Sequence, residues 1–109
     1  MTGPAGGPGL VWCPFPDAQS ARAVAGTMLD EGLVACANIL GSMLSLFTWN
    51  GERGEAEETG VLFKTDAALF ERVVVRLAEL HPYESPAILA WRCDAAHPAT
   101  AAWLAGLGA

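Results

Sequence analysis

Residues 45–65 read SLFTWNGERGEAEETGVLFKT. Asn50-Gly51 is the strongest short-range hairpin signal, because both residues accept the positive φ of a tight turn. Before it, Ser45, Phe47 and Trp49 share one strand face, and Leu44, Leu46 and Thr48 share the other. After it, the chain runs through the polar ERGEAEE (52–58) and ends in the apolar VLFKT (61–65). The stretch predicts a long antiparallel hairpin.

Working outward, LVACANIL (33–40), interrupted by Gly41-Ser42, feeds the first arm of this hairpin. Ahead of it, Ala21, Val24, Ala25, Met28 and Leu29 recur at helical spacing and predict a helix over 18–31. Asp17 is its N-cap and Gly32 its stop. PFP before Asp17 sets an extended entry, and GLVWC (9–13) reads as a first strand. Beyond the hairpin, Asp66 is a second N-cap. Leu69, Phe70, Val73, Val74, Leu77 and Leu80 form the apolar stripe of a second helix. After His81-Pro82 the chain extends through PAILAWRC (86–93), and HPATAAWLAGL (97–107) predicts a terminal helix. The order β-α-β-β-α-β plus a C-terminal helix is the α+β, ferredoxin-like pattern.

The 109 residues suit one domain, here 9–109, with MTGPAGGP (1–8) as a flexible lead-in that lacks the basic flank and apolar run of a signal peptide. A hydrophobic fraction of 52% excludes a disordered chain. The net charge of −6 argues against a nucleic-acid partner, since phosphate neutralisation needs clustered basic residues. No apolar run approaches the ~20 residues of a membrane span. Cys13, Cys36 and Cys93 follow no metal-finger spacing and point to a reducing, cytoplasmic setting. Cys36 and Cys93 lie in apolar runs and are expected as core thiols.

Two helices cover only one face of a four-stranded sheet, yet the strands are apolar on both. Leu44 and Leu46 oppose Phe47 and Trp49; Ile88 and Ala90 oppose Leu89 and Trp91. A monomer would expose a broad apolar face. Burial against further copies of the chain, with hairpin edges free to pair, resolves this. The pattern therefore predicts an oligomer.

CPFPD (13–17), GLVACANIL (32–40), SLFTWNG (45–51), VLFKT (61–65) and HPYESPAIL (81–89), in this order and spacing, resemble the CutA divalent-cation tolerance family. The resemblance covers nearly all of 10–104. It implies a ferredoxin-like protomer in a three-fold homotrimer, cytoplasmic in bacteria and linked to tolerance of copper and other divalent metals. It also implies Cys13 and His81 as copper-associated residues. Leu80 stands where some members have a second histidine, and Ala87 where most have a glutamate. Glu58 and Lys64 match family positions.

A thiolate and an imidazole suit Cu(I) or Zn(II). Cys13 precedes a helix N-terminus, where the dipole favours the thiolate. The structural alternative makes Cys13 a small buried residue at a strand end and His81 a capping residue before proline. Tyr83 is either half-buried with its hydroxyl tied to backbone or part of a pocket. Lys64 in a strand wants an acidic partner, expected as a salt bridge within the trimer with Glu58 or Glu84 as candidates. Phe47 and Trp49 read as interface core, ERGEAEE as a solvated arm and His97 as a helix-start residue.

No phosphate loop, Ser-His-Asp set or His-Glu-x-x-His motif is present, and no enzyme is expected. Two binding roles stand: a metal-tolerance trimer holding a cation at Cys13 and His81, or a signalling trimer taking a small organic effector in inter-subunit clefts near Glu58, Lys64, His81 and Tyr83.

Overall fold

The computed structural model describes residues 6–108. Its elements are β1 (Pro8–Phe15), α1 (Ala18–Asp30), β2 (Cys36–Trp49), β3 (Glu52–Asp66), α2 (Phe70–Leu80), β4 (Leu89–Arg92) and α3 (Pro98–Ala105), with single 3-10 turns at Ala67–Leu69 and Gly106–Gly108. The antiparallel sheet has the order β2-β3-β1-β4. This is the expected ferredoxin-like α+β arrangement.

Local chemistry sets the boundaries. Asp17 Oδ1 accepts from the Ser20 N–H at 2.7 Å and opens α1. Asp66 Oδ1 accepts from the Ala68 N–H at 2.8 Å and opens the turn into α2. Asn50 (φ 53°) and Gly51 (φ 77°) both occupy the left-handed region, which matches the twist of the strands they join.

The core lies between the sheet and the helix layer. Val11, Cys13 and Phe15 of β1 and Val61 and Phe63 of β3 point the same way and are fully buried. Met28 of α1 and Val73 and Leu77 of α2 close over them. Arg76 on α2 clamps the end of α1, with Nε and Nη2 donating to the two oxygens of Glu31 at 2.8 and 2.7 Å. This bidentate pair is solvent-exposed, so water screens it and it adds little to stability.

Several boundaries differ from the sequence expectation. β1 starts at Pro8 and reaches Phe15, rather than spanning 9–13. Of the lead-in 1–8, residues 1–5 lie outside the described residues. Gly7 donates to Asp66 Oδ2, and the Gly6 carbonyl accepts from Arg92, so this part is held by the sheet. Leu33 and Val34 are buried but precede β2. The segments 33–40 and 43–49 become one strand broken by an irregularity between Ile39 and Ser42. β4 is only four residues long, not the 86–93 expected. Cys36 and Cys93 are partly exposed and lie outside the core; the buried thiol is Cys13.

The irregularity in β2 has a geometric effect. It inserts one residue opposite β3, which moves the odd-numbered side chains of the following segment onto the sheet face remote from the helices. Phe47 and Trp49 thereby join Leu62 and Trp12 on that open face. Residues 43–49 and 52–58 pair only with each other, because β1 ends at Phe15 opposite Thr59. The hairpin tip is a free-standing arm. It accounts for a radius of gyration of 14.6 Å and a long axis of 45 Å, where a compact chain of this size has about 13 Å.

Candidate functional site

At the root of the arm the chain from α2 into β4 meets the end of β1. His81 caps α2, its N–H bonded to the Leu77 carbonyl at 2.9 Å. Its backbone is already extended (φ −69°, ψ 140°), the geometry that a following proline enforces. The imidazole therefore folds back over β1 and stacks on Phe15, with centroids 4.4 Å apart and planes at 21°.

Both imidazole nitrogens are engaged. Nε2 lies 2.7 Å from the Pro14 carbonyl oxygen, and Nδ1 is 3.0 Å from the Tyr83 amide N–H. A carbonyl can only accept and an amide N–H can only donate. The ring is thus neutral, protonated at Nε2. Burial pushes its pKa below the usual histidine value, against the raising influence of the Pro14 hydrogen bond and of Glu58.

Cys13 is fully buried, and its thiol faces the same Pro14 carbonyl at 3.8 Å. Burial, with a smaller effect of the Glu58 charge, pushes its pKa up to about 12. The helix dipole does not rescue the thiolate here, because a thiol shut in a hydrocarbon core has no solvent to stabilise the charge.

Tyr83 donates from its hydroxyl to Glu58 Oε2 at 2.8 Å, and its ring lies 4.9 Å from His81. Its pKa rises to about 12, chiefly through burial and then through the hydrogen bond to Glu58. Tyr83 is tied to a carboxylate, not to backbone.

The fold brings Cys13, His81, Tyr83 and Glu58 together and leaves Lys64 apart. Lys64 stands six residues along β3 from Glu58, about 20 Å away. It faces Leu10 and Cys36 across the sheet. Among the described residues of the single chain it forms no ion pair. Nor do three His, Cys, Asp or Glu side chains converge as metal ligands among the described residues. Cys13 and His81 do not form an open metal site. A cation there must displace the Pro14 hydrogen bond and take the proton of a buried thiol.

Sequence reasoning did not anticipate the Pro14 carbonyl, whereas a pocket role was one of its two readings of Tyr83. A cleft of about 730 Å³ opens between the arm and residues 83–87, with Phe47, Trp49, Ala56, Glu58, Tyr83 and Glu84 among its lining. The alternation of Phe47 and Trp49 was the available signal, but it read equally well as interface core.

A ferredoxin-like chain with an uncovered apolar sheet face, a projecting hairpin and a histidine-tyrosine-glutamate cluster at its root defines a class of small α+β proteins. The model of the CutA1 divalent ion tolerance protein family matches residues 9–106, and the chain belongs to that family. The divalent-cation tolerance protein CutA of Pyrococcus horikoshii is 39% identical over 95 residues, covering 87% of this chain and 92% of that protein. The crystal structure of CutA1 from the same organism superposes with a TM-score of 0.84 at 35% identity, over 91% of this chain and 96% of that one. A structure described as a periplasmic divalent cation tolerance protein, from Archaeoglobus fulgidus, gives a TM-score of 0.86 at 25% identity over 92% and 97% of the two chains.

Proposed function

We propose that this protein acts in the response to divalent metal ions as a cytoplasmic, non-enzymatic homotrimer whose ligand enters the cleft beside Glu58 and Tyr83. The family supports the link to cation tolerance. The uncovered faces of Phe47, Trp49, Leu89 and Trp91 support self-association. Three cysteines without disulfides suit a reducing compartment. The observation that carries the ligand site is the cleft itself: an apolar, aromatic-lined concavity with a hydrogen-bonded Tyr83–Glu58 pair in its wall.

A thermal-shift screen of nucleotides, organic acids, amines and divalent cations against the assembled protein tests this reading. A stabilising compound whose effect is lost in Trp49→Ala is the expected result. No stabilisation by any class overturns the cleft as a site.

A second reading is weak copper or zinc binding at Cys13 and His81. Its specific support is the convergence of thiol and imidazole on one carbonyl, that of Pro14. Because both groups already have partners and the thiol holds its proton, affinity is expected to be low. Titration of Cu(I) and Zn(II) into reduced protein, beside Cys13→Ser/His81→Gln, decides it: equal binding by both proteins removes these residues as ligands.

A further inference from the structure

The open face of β3 changes character along its length. Alternate residues of the strand share that face and read Glu58, Gly60, Leu62 and Lys64. The far end of the Trp12 ring lies across Gly60, where a Cβ would run into it. The strip therefore has an acid at one end, a base at the other and a low apolar bed of Leu62 and Trp12 between them.

Neither end meets an opposite charge among the described residues. Lys64 is half-buried between Leu10 and Cys36 and forms no ion pair there. The next carboxylate on its strand, Asp66, is buried and accepts from the N–H groups of Ala68 and Gly7. Glu58 lies about 20 Å from Lys64, further than the two side chains span. Its Oε2 accepts from Tyr83, and its Oε1 accepts no hydrogen bond among the described residues.

Lys64 shares a row of the sheet with Leu10 and Trp91. A copy that covers Trp91 covers Lys64 as well and takes water away from its ammonium group. A lysine so covered needs a carboxylate. In a ring of three chains the contacts run head to tail, one patch meeting a different patch on the next chain. The strip offers two such unlike ends, and three strips laid acid to base close a triangle.

From this complementarity of charge we infer that Lys64 of each chain pairs with the partner's Glu58 across the trimer. The pair also brings an ammonium group to the wall of the ligand cleft, where the described residues of the single chain supply none. The cleft is then complete only in the assembly. This rests on self-association through the open face.

The test compares the native protein with Lys64→Glu, Glu58→Lys and the Lys64→Glu/Glu58→Lys double variant by sedimentation equilibrium, with far-ultraviolet circular dichroism to follow the fold. Each single reversal brings like charges together and is expected to raise the dissociation constant at least about a hundredfold. The double reversal should regain the native mass. A native protein with the mass of one chain overturns the pair together with the self-association it rests on. Native mass in either single variant, or no recovery in the double, overturns the pair and leaves the trimer standing. Should a single variant fail to fold, carbodiimide coupling of the native protein decides. The chain has one lysine, so a lysine–carboxylate link between two chains identifies its partner. A Lys64–Glu58 link in the two-chain product is expected; a link to another carboxylate, or none, overturns the pair.

Discussion

The Tyr83 hydroxyl sits 2.8 Å from Glu58 Oε2 and joins the loop after α2 to the root of the hairpin arm. Twenty-five positions separate the two residues, so the contact is a product of the fold. A phenol beside a carboxylate gives up its proton reluctantly, because its own negative charge would lie next to another. Burial is the larger cause of the same reluctance, and together they push the pKa up to about 12. The chain has a single tyrosine, so absorbance at 295 nm reads this group alone. The titration midpoint is expected near 12 in the native protein and lower in Glu58→Gln. The sign of the linkage follows: a raised folded-state pKa contributes stability that is full below the unfolded value of about 10 and is lost as pH climbs toward 12. A native midpoint near 10 would show the pair broken in solution.

His81 gives the opposite pH dependence. Its folded-state pKa is lowered, so its contribution is full above the unfolded value of about 6.5 and falls as pH drops through it toward the folded value. Protonation also places a second N–H where Nδ1 now accepts from Tyr83. Unfolding free energy measured from pH 8 to pH 5 should decline more steeply in the native protein than in His81→Gln. His81→Ala, which leaves the Pro14 carbonyl and the Tyr83 amide without partners, should cost about 2–3 kcal/mol at pH 8. Identical pH slopes for native and His81→Gln protein count against the buried neutral ring.

How far the sequence discloses all this depends on the range of the interactions. Asp17, Asp66 and Asn50-Gly51 act on backbone groups within a few residues, so their roles can be read from spacing. The fold class follows from the order of such local signals. The shift in β2 is only half legible. Gly41-Ser42 marks a break, but the swap of faces needs the partner strand. β1 is harder, since GLVWC is apolar throughout and hides which side chains face the helices. Only the pairing of Cys13 with Val61 and Trp12 with Leu62 separates core from open face. His81 is the extreme case. Its acceptor is a backbone carbonyl 67 positions away, which no residue type announces. The proximity of Cys13 and His81, implied by family resemblance, is present in the fold, whereas the burial that makes them poor ligands belongs to packing.

Thiol reactivity should follow that packing. Cys36 and Cys93 are partly exposed, and Cys13 is fully buried with its pKa at about 12. Alkylation of the native protein with iodoacetamide at pH 8, mapped by mass spectrometry, should leave Cys13 unmodified while it labels readily after denaturation. Early labelling of Cys13 would mean that the end of β1 opens in solution. It would also revive the pair with His81 as an accessible metal site.

The open sheet face carries the last expectation. Leu89 and Trp91 of β4 lie 63% and 46% exposed opposite Trp12 and Leu10 of β1, on the side no helix covers. Their side chains stand on the sheet face opposite the helices that close the core, so a charge at either should not unfold the protomer. In the proposed trimer the same charge would be buried without a partner, at a cost of several kcal/mol for each copy. Trp91→Glu should therefore shift the mass in sedimentation equilibrium from that of three chains toward one, with the far-ultraviolet circular dichroism of the fold retained. Trp103→Glu on α3, which is 49% exposed on a different element, is the matched control and should leave the mass unchanged. Were Trp91→Glu to keep the full mass, the chains would have to associate through the hairpin arm alone, and Leu44→Glu or Leu46→Glu would then be the variants that separate them.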